Sequence, residues 1–266
     1  MDLSGRSALL TGATGGLGRA IATALAGKGA KLILSGRKPE ALTAMAAELP
    51  GEGHRTIPAD LAEAGAAEKL AADAGDVDIL IANAGLPGSG RLSDFSPEQV
   101  TRALRVNVEA PMLQAQALYP AMVERGSGHL VFIASLAGKA PSPRSSLYNA
   151  TKFGLRGFAL GLRADLGPKG VGVSLISPGF IRDAGMFADA GASSAGLGTG
   201  RPDQVGAAVV RAIEHDRTEI AVGPMRQRAL AHFALASPAL SVRIQSGKAG
   251  QKAAKGIAEG HPEHKR

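Results

Sequence analysis

Tyr148 and Lys152 stand four residues apart in the run Tyr148-Asn149-Ala150-Thr151-Lys152. On a helix that spacing puts both side chains on one face, about 5–6 Å apart at Cβ. A phenol of ordinary pKa, about 10, is a poor proton donor or acceptor at neutral pH. A neighbouring ammonium stabilises the phenolate and lowers that value, which suits Tyr148 to general acid–base work. Alone the pattern is weak, because a buried tyrosine beside a snorkelling lysine is far commoner than a catalytic pair. Other polar residues precede it. Ser135 ends the apolar run Phe132-Ile133-Ala134 and can donate to a carbonyl oxygen, although a serine there is also an ordinary turn cap. Asn107 follows Asn83-Ala84-Gly85 and can hold a water that relays protons to Lys152, although a lone helical asparagine is more often structural.

These residues need a frame that brings strand ends together. Short apolar runs at 7–10, 31–34, 55–57, 78–81, 129–133, 171–176 and 219–222 alternate with helical patterns. Continuous apolar runs separated by such patterns predict parallel strands covered on both faces by crossover helices, an α/β doubly wound, mostly parallel, Rossmann-like sheet. Between the first strand and first helix lies Thr11-Gly12-Ala13-Thr14-Gly15-Gly16-Leu17-Gly18. Glycines there let the backbone turn tightly against a pyrophosphate at a helix N-terminus, as in dinucleotide-binding proteins. The second strand runs into Ser35-Gly36-Arg37 rather than into an acidic residue. Arg37 can pair with a ribose 2′-phosphate, so NADP(H) is favoured and NAD(H) is retained as the alternative.

In composition the chain has 266 residues, no Cys, no Trp and two tyrosines, which excludes a disulfide scaffold, a thiolate nucleophile and a Cys-ligated zinc site. The formal net charge is +7, but six basic and two acidic residues lie from Arg243 onward, so four of the seven net charges belong to the tail. Nucleic-acid binding is therefore disfavoured, and no metal site is expected; His261-Pro262-Glu263-His264 reads as solvated tail. Met1 to Arg6 does not read as a secretory leader, and a cytoplasmic location is expected.

With these motifs assembled, the sequence resembles the short-chain dehydrogenase/reductase family, in its single-domain YxxxK branch, from about Ser4 to Pro224. The resemblance rests on TGATGGLG at 11–18, Asp60, Asn83-Ala84-Gly85, Asn107, Ser135, YNATK at 148–152 and Pro178-Gly179. It implies a catalytic tetrad of Asn107, Ser135, Tyr148 and Lys152. Tyr148 would act as the general acid in reduction, Ser135 would orient the substrate oxygen, and Lys152 would hold the nicotinamide ribose. It also implies cofactor contacts from Gly12, Thr14, Gly16, Leu17, Gly18, Asp60, Leu61, Asn83, Ala84, Gly85, Pro178, Gly179 and Ile181, and a homodimer or homotetramer. Two positions depart from the family pattern. Gly15 stands where NADP-preferring members often carry a basic residue, and Asp183 stands where members commonly carry a threonine that bonds the carboxamide.

The expected domain is 1–224, followed by a C-terminal amphipathic helical extension at 225–245 and a basic, frayed tail at 246–266. Residues 184–201 are small and aperiodic, which suits a mobile lid. An apolar pocket wall of Leu86, Leu136, Ala137, Leu147, Phe180, Met186 and Phe187 points to a neutral, hydrophobic ketone, aldehyde or secondary alcohol as the small-molecule substrate. That is the reading of a carbonyl reductase. A nucleotide-binding scaffold without turnover is the alternative. For residues 225–244, packing against the domain or a partner subunit is favoured over peripheral contact with an anionic membrane.

Overall fold

The computed structural model describes residues 1–191, 194, 196–247, 251, 254, 256, 258 and 259. The chain begins with β1 (Ser7–Leu10), α1 (Gly16–Ala26), β2 (Lys31–Gly36), α2 (Pro39–Glu48), β3 (Arg55–Pro58), α3 (Ala66–Ala74) and β4 (Ile79–Ala82). Then come α4 (Pro97–Leu104), a π-helical turn over Arg105–Glu109, α5 (Ala110–Glu124), β5 (Gly128–Ile133) and α6 (Ser146–Leu166). β6 (Val171–Pro178), α7 (Gly185–Asp189), α8 (Pro202–Glu214), β7 (Glu219–Val222), α9 (Met225–Ala236) and α10 (Pro238–Gln245) complete it.

The seven strands form one sheet, β3-β2-β1-β4-β5-β6-β7, parallel at every pairing. Strand order reverses between β1 and β4, and ligands of open α/β sheets bind in the crevice beyond the strand carboxyl ends at such a point. Successive strand side chains alternate between two cores. Leu130 and Phe132 of β5 join Leu70, Leu118 and Leu155 on one face, while Val131 and Ile133 join Ile21, Val205 and Val209 on the other. With few aromatics, Phe132 is the largest fully buried side chain, meeting Phe158 edge-on at 5.5 Å between centroids.

The expected strands and helices are therefore present, and the doubly wound parallel architecture is the one observed. Two segments differ from expectation. The stretch 184–201 contains a short helix, α7, and its neck is closed by a bridge between Ile181 and Gly200. Of the expected frayed tail, Gln251, Ala254, Gly256, Ala258 and Glu259 are helical, with Ala254 and Ala258 buried. His261 to His264 lie outside the described residues, as do Ala192, Ser193 and Ala195 of the lid.

Candidate active site

The Gly-rich turn joins β1 to α1, and its shape has steric causes. Gly12 has φ +63°, and a Cβ on it would lie 2.9 Å from Ala84 Cα; a Cβ on Gly18 would collide with the Gly12 carbonyl oxygen. Thr11 latches the turn to the β4 end: its hydroxyl accepts from the amides of Asn83 and Ala84, both at 3.0 Å. The Asn83 side chain donates back to the carbonyls of Thr11 (2.9 Å) and Gly12 (3.1 Å). The start of α1 has no side-chain cap and no acidic residue in its first turn. Those are the conditions under which a helix N-terminus accepts a phosphate. Arg37 is exposed just past the end of β2 and makes no ion pair among the described residues, so the donor set present fits a dinucleotide. Asp60 caps its own turn by accepting from Ala62 N at 3.0 Å, Leu61 is buried, and Asp60 and Ala62 line a cavity of about 440 Å³ with Thr101, Arg102 and Arg105.

Ser135 follows β5. Its hydroxyl accepts from Ala137 N at 3.1 Å, capping the turn Leu136–Gly138, and donates to the Pro178 carbonyl at 3.3 Å. The cap role and a position at the strand ends thus coincide in one side chain. Tyr148 and Lys152 lie on the first turns of α6, with the Lys152 ammonium 5.7 Å from the Tyr148 ring centroid. Lys152 Nζ donates to the Ile133 carbonyl at 3.0 Å. Burial pushes the Lys152 ammonium down to about 8. Burial pushes the Tyr148 phenol up to about 12, and a hydrogen bond with Ser135 opposes the rise. The Lys152 ammonium is turned to a carbonyl, and burial is the larger influence on the Tyr148 phenol.

Asn107 sits in the π-helical turn, a distortion that recurs at functional sites. Its Oδ1 accepts from Leu86 N at 2.7 Å, and its Nδ2 donates to Leu86 O (3.0 Å) and Thr151 Oγ1 (3.3 Å). It braces the β4–α4 loop against α6. Thr151 in turn donates to the Tyr148 carbonyl at 2.8 Å. Gly85 lies where a Cβ would fall 3.4 Å from Asn107 Oδ1 and from Met186 Cε, and 3.8 Å from Lys152 Nζ.

The lid rests on this site. Ala184 is buried against Gly16, where an added Cβ would lie 2.5 Å from Ala184 Cβ. Phe187 stacks on Phe180 at 4.5 Å. Asp183, at φ +64°, is exposed and pairs with Arg182 at 3.5 Å, so its charge is turned outward. Gln227 of α9 holds both ends of the lid: Oε1 accepts from Phe180 N at 2.9 Å and Nε2 donates to Gly198 O at 2.6 Å. A Cβ on Gly179 would collide with that Oε1. Ile181 is buried beside it. Thr11, Thr151 and Gln227 went unmarked in the sequence. The first two lie inside or beside the motifs, while nothing in the local pattern flags Gln227. Asn149, between Tyr148 and Lys152, went unmarked as well. It is buried and donates to the Ala137 carbonyl at 2.6 Å, tying α6 to the loop after Ser135.

Comparison with known proteins agrees with this geometry. Residues 6–194 match the short chain dehydrogenase family model. A ketoacyl reductase, HetN, of Nostoc sp. is 37% identical over 227 residues, covering 83% of this chain and 79% of that protein. A 3-oxoacyl (acyl-carrier-protein) reductase of Agrobacterium tumefaciens, solved with NADP bound, superimposes with TM-score 0.76 at 30% identity, covering 82% of this chain and 93% of that one. A short-chain dehydrogenase of Sphingobium yanoikuyae in complex with NADPH gives TM-score 0.78 at 27% identity, covering 91% and 97%. The chain belongs to the short-chain dehydrogenase/reductase family of oxidoreductases.

Proposed function

We propose that this protein is an NADP(H)-dependent reductase or dehydrogenase acting on a neutral, hydrophobic ketone, aldehyde or secondary alcohol, a class that includes 3-oxoacyl thioesters. The observation that carries the reading is the meeting of Ser135, Tyr148 and Lys152 at the strand ends beside the latched Gly-rich turn. The N–H groups at the start of α1 would hold the pyrophosphate, Arg37 the 2′-phosphate, and Lys152 the nicotinamide ribose. When bound, NADPH supplies the hydride for the carbonyl carbon.

Tyr148 carries its proton at neutral pH, as a phenol of ordinary pKa also does. It donates that proton to the carbonyl oxygen, which Ser135 orients. Asn107 and the π-helical turn would hold the water that returns a proton by way of Lys152. Substrate preference is supported by the stacked Phe180 and Phe187 of the lid, and by the outward turn of Arg182 toward Asp183. The reading includes a cytoplasmic location and a homodimer or homotetramer. An apolar cleft of about 280 Å³, lined by Met112, Leu113 and Tyr119 of α5 and Phe158 and Leu162 of α6, supports the oligomer. No helix among the described residues is long and apolar enough to cross a membrane.

The test is Tyr148→Phe against wild type on neutral aryl ketones, 3-oxoacyl thioesters and acidic ketones. Turnover falls at least about a hundredfold while NADPH binding is retained. Wild type that binds NADPH and reduces nothing would make the scaffold reading correct instead. Preference for an acidic ketone would overturn the substrate class.

A further inference from the structure

Helices α9 and α10 follow the last strand, and their packing is inverted relative to an ordinary surface helix. α9 buries Gln227, Ala231 and Ala234, and α10 buries only Ser241. The larger apolar side chains face outward. Seven of the ten large hydrophobic residues exposed among the described residues lie between Met225 and Ile244; Met225 is 80% exposed and Ile244 60%. Leu230, Phe233, Leu235, Leu240, Val242 and Ile244, expected to pack against the domain or a partner subunit, are therefore not buried on the domain. A cluster of exposed apolar side chains on a soluble domain marks an interaction surface.

The charge along this segment of the sequence has one sign. Between Glu219 and Glu259 the chain carries no acidic residue and six basic ones, Arg226, Arg228, Arg243, Lys248, Lys252 and Lys255. The three arginines are exposed. A two-fold contact with a second copy would bring two copies of this basic segment into one interface, with no carboxylate of the segment to pair them. An anionic bilayer supplies what the surface lacks, negative headgroups for the arginines and an acyl boundary for the apolar side chains.

We propose that the α9–α10 face docks this protein peripherally on an anionic lipid bilayer. The face adjoins the lid, because Gln227 on the buried side of α9 holds Phe180 and Gly198. Docking therefore sets the mouth of the site close to the lipid surface.

The experiment is cosedimentation of the full chain with vesicles of phosphatidylcholine alone or mixed with phosphatidylglycerol. Wild type pellets with the mixed vesicles and stays in the supernatant with neutral ones. Arg226→Gln, Arg228→Gln and Arg243→Gln combined lower partitioning on the order of a hundredfold, at about fivefold for each cation near the surface. Leu230→Ser, Phe233→Ser and Ile244→Ser combined also release the protein, and because these side chains are exposed both variants keep the wild-type thermal melt. Equal recovery of wild type in both supernatants overturns the proposal. So does vesicle binding that the serine variant retains, which would reduce the contact to charge alone. A wild-type dimer that the serine variant dissolves, without vesicle binding, would assign the face to a second copy and likewise overturn it.

Discussion

The Lys152 ammonium stands 5.7 Å from the Tyr148 ring centroid and donates its hydrogen bond to the Ile133 carbonyl, 3.0 Å away. The lysine is thus anchored to the end of β5, beside Ser135, rather than to the phenol. Both groups are desolvated, and desolvation moves them in opposite directions, the ammonium down to about 8 and the phenol up to about 12. At neutral pH the pair is poised as a charged lysine beside a protonated tyrosine, the state that carbonyl reduction uses.

The pH dependence follows from that pair. Lysine loses its proton as pH rises through about 8, so reductive kcat/KM declines above that value. Lys152→Met lowers the rate at every pH and removes the inflection. A pH–rate profile of both proteins checks this, and an inflection that persists in Lys152→Met assigns it to another group.

In the proposed function Arg37 sets the choice of nucleotide. Arg37→Ala removes the charged partner of the 2′-phosphate and weakens NADPH binding by a factor on the order of ten to a hundred, leaving NADH unchanged. Fluorescence titration with both nucleotides measures it. Equal losses for the two would place Arg37 outside the phosphate site.

The fold was legible because most strands of the sheet are short apolar runs and the crossovers are helical patterns, β3 (Arg55–Pro58) being the weak case. The juxtaposition of Tyr148 and Lys152 was legible because the two are local in sequence. What period and spacing do not carry is long-range pairing. Gln227 reaches Phe180 from 47 residues away, and Thr11 reaches Asn83 from 72.

Gly16 separates the turn from the lid. In Gly16→Ala the new Cβ meets Ala184 Cβ at 2.5 Å, so the lid segment must lift while the sheet is untouched. The expected result is a raised carbonyl KM, faster proteolysis within 184–201, and a wild-type thermal melt. Limited proteolysis with steady-state kinetics tests it; an unchanged digestion pattern would show that the lid does not rest there.

His129 sets an acid limit. Ser174 Oγ donates to Arg217 O at 2.6 Å, so it accepts from His129 Nε2–H at 2.8 Å. Burial lowers its pKa from 6.5 to about 4, with Asp216 opposing the fall and the N-terminus and Arg163 assisting it. Between those values the unfolded chain binds more protons, so stability is lost as pH falls from 6.5 to 4, by on the order of 3 kcal/mol. His129→Gln keeps a donor and does not titrate, and its melting temperature falls less over that range. Parallel acid shifts in the two proteins would remove His129 as the cause.

Gln227 joins the C-terminal helices to the reaction. It is buried, and its two amide atoms hold the two arms of the lid, at Phe180 and at Gly198. Gln227→Ala leaves both backbone groups unpaired, which costs about 1–3 kcal/mol for a buried donor or acceptor. Gln227→Glu can still accept from Phe180 N but faces the Gly198 carbonyl with a second acceptor, so it too opens the lid. Both variants raise the carbonyl KM more than they lower kcat, because the Tyr148 proton donor is untouched. NADPH affinity, carbonyl KM and melting temperature measured together separate this from general destabilisation. A lower melting temperature with an unchanged KM would mean that Gln227 supports the fold and does not position the lid.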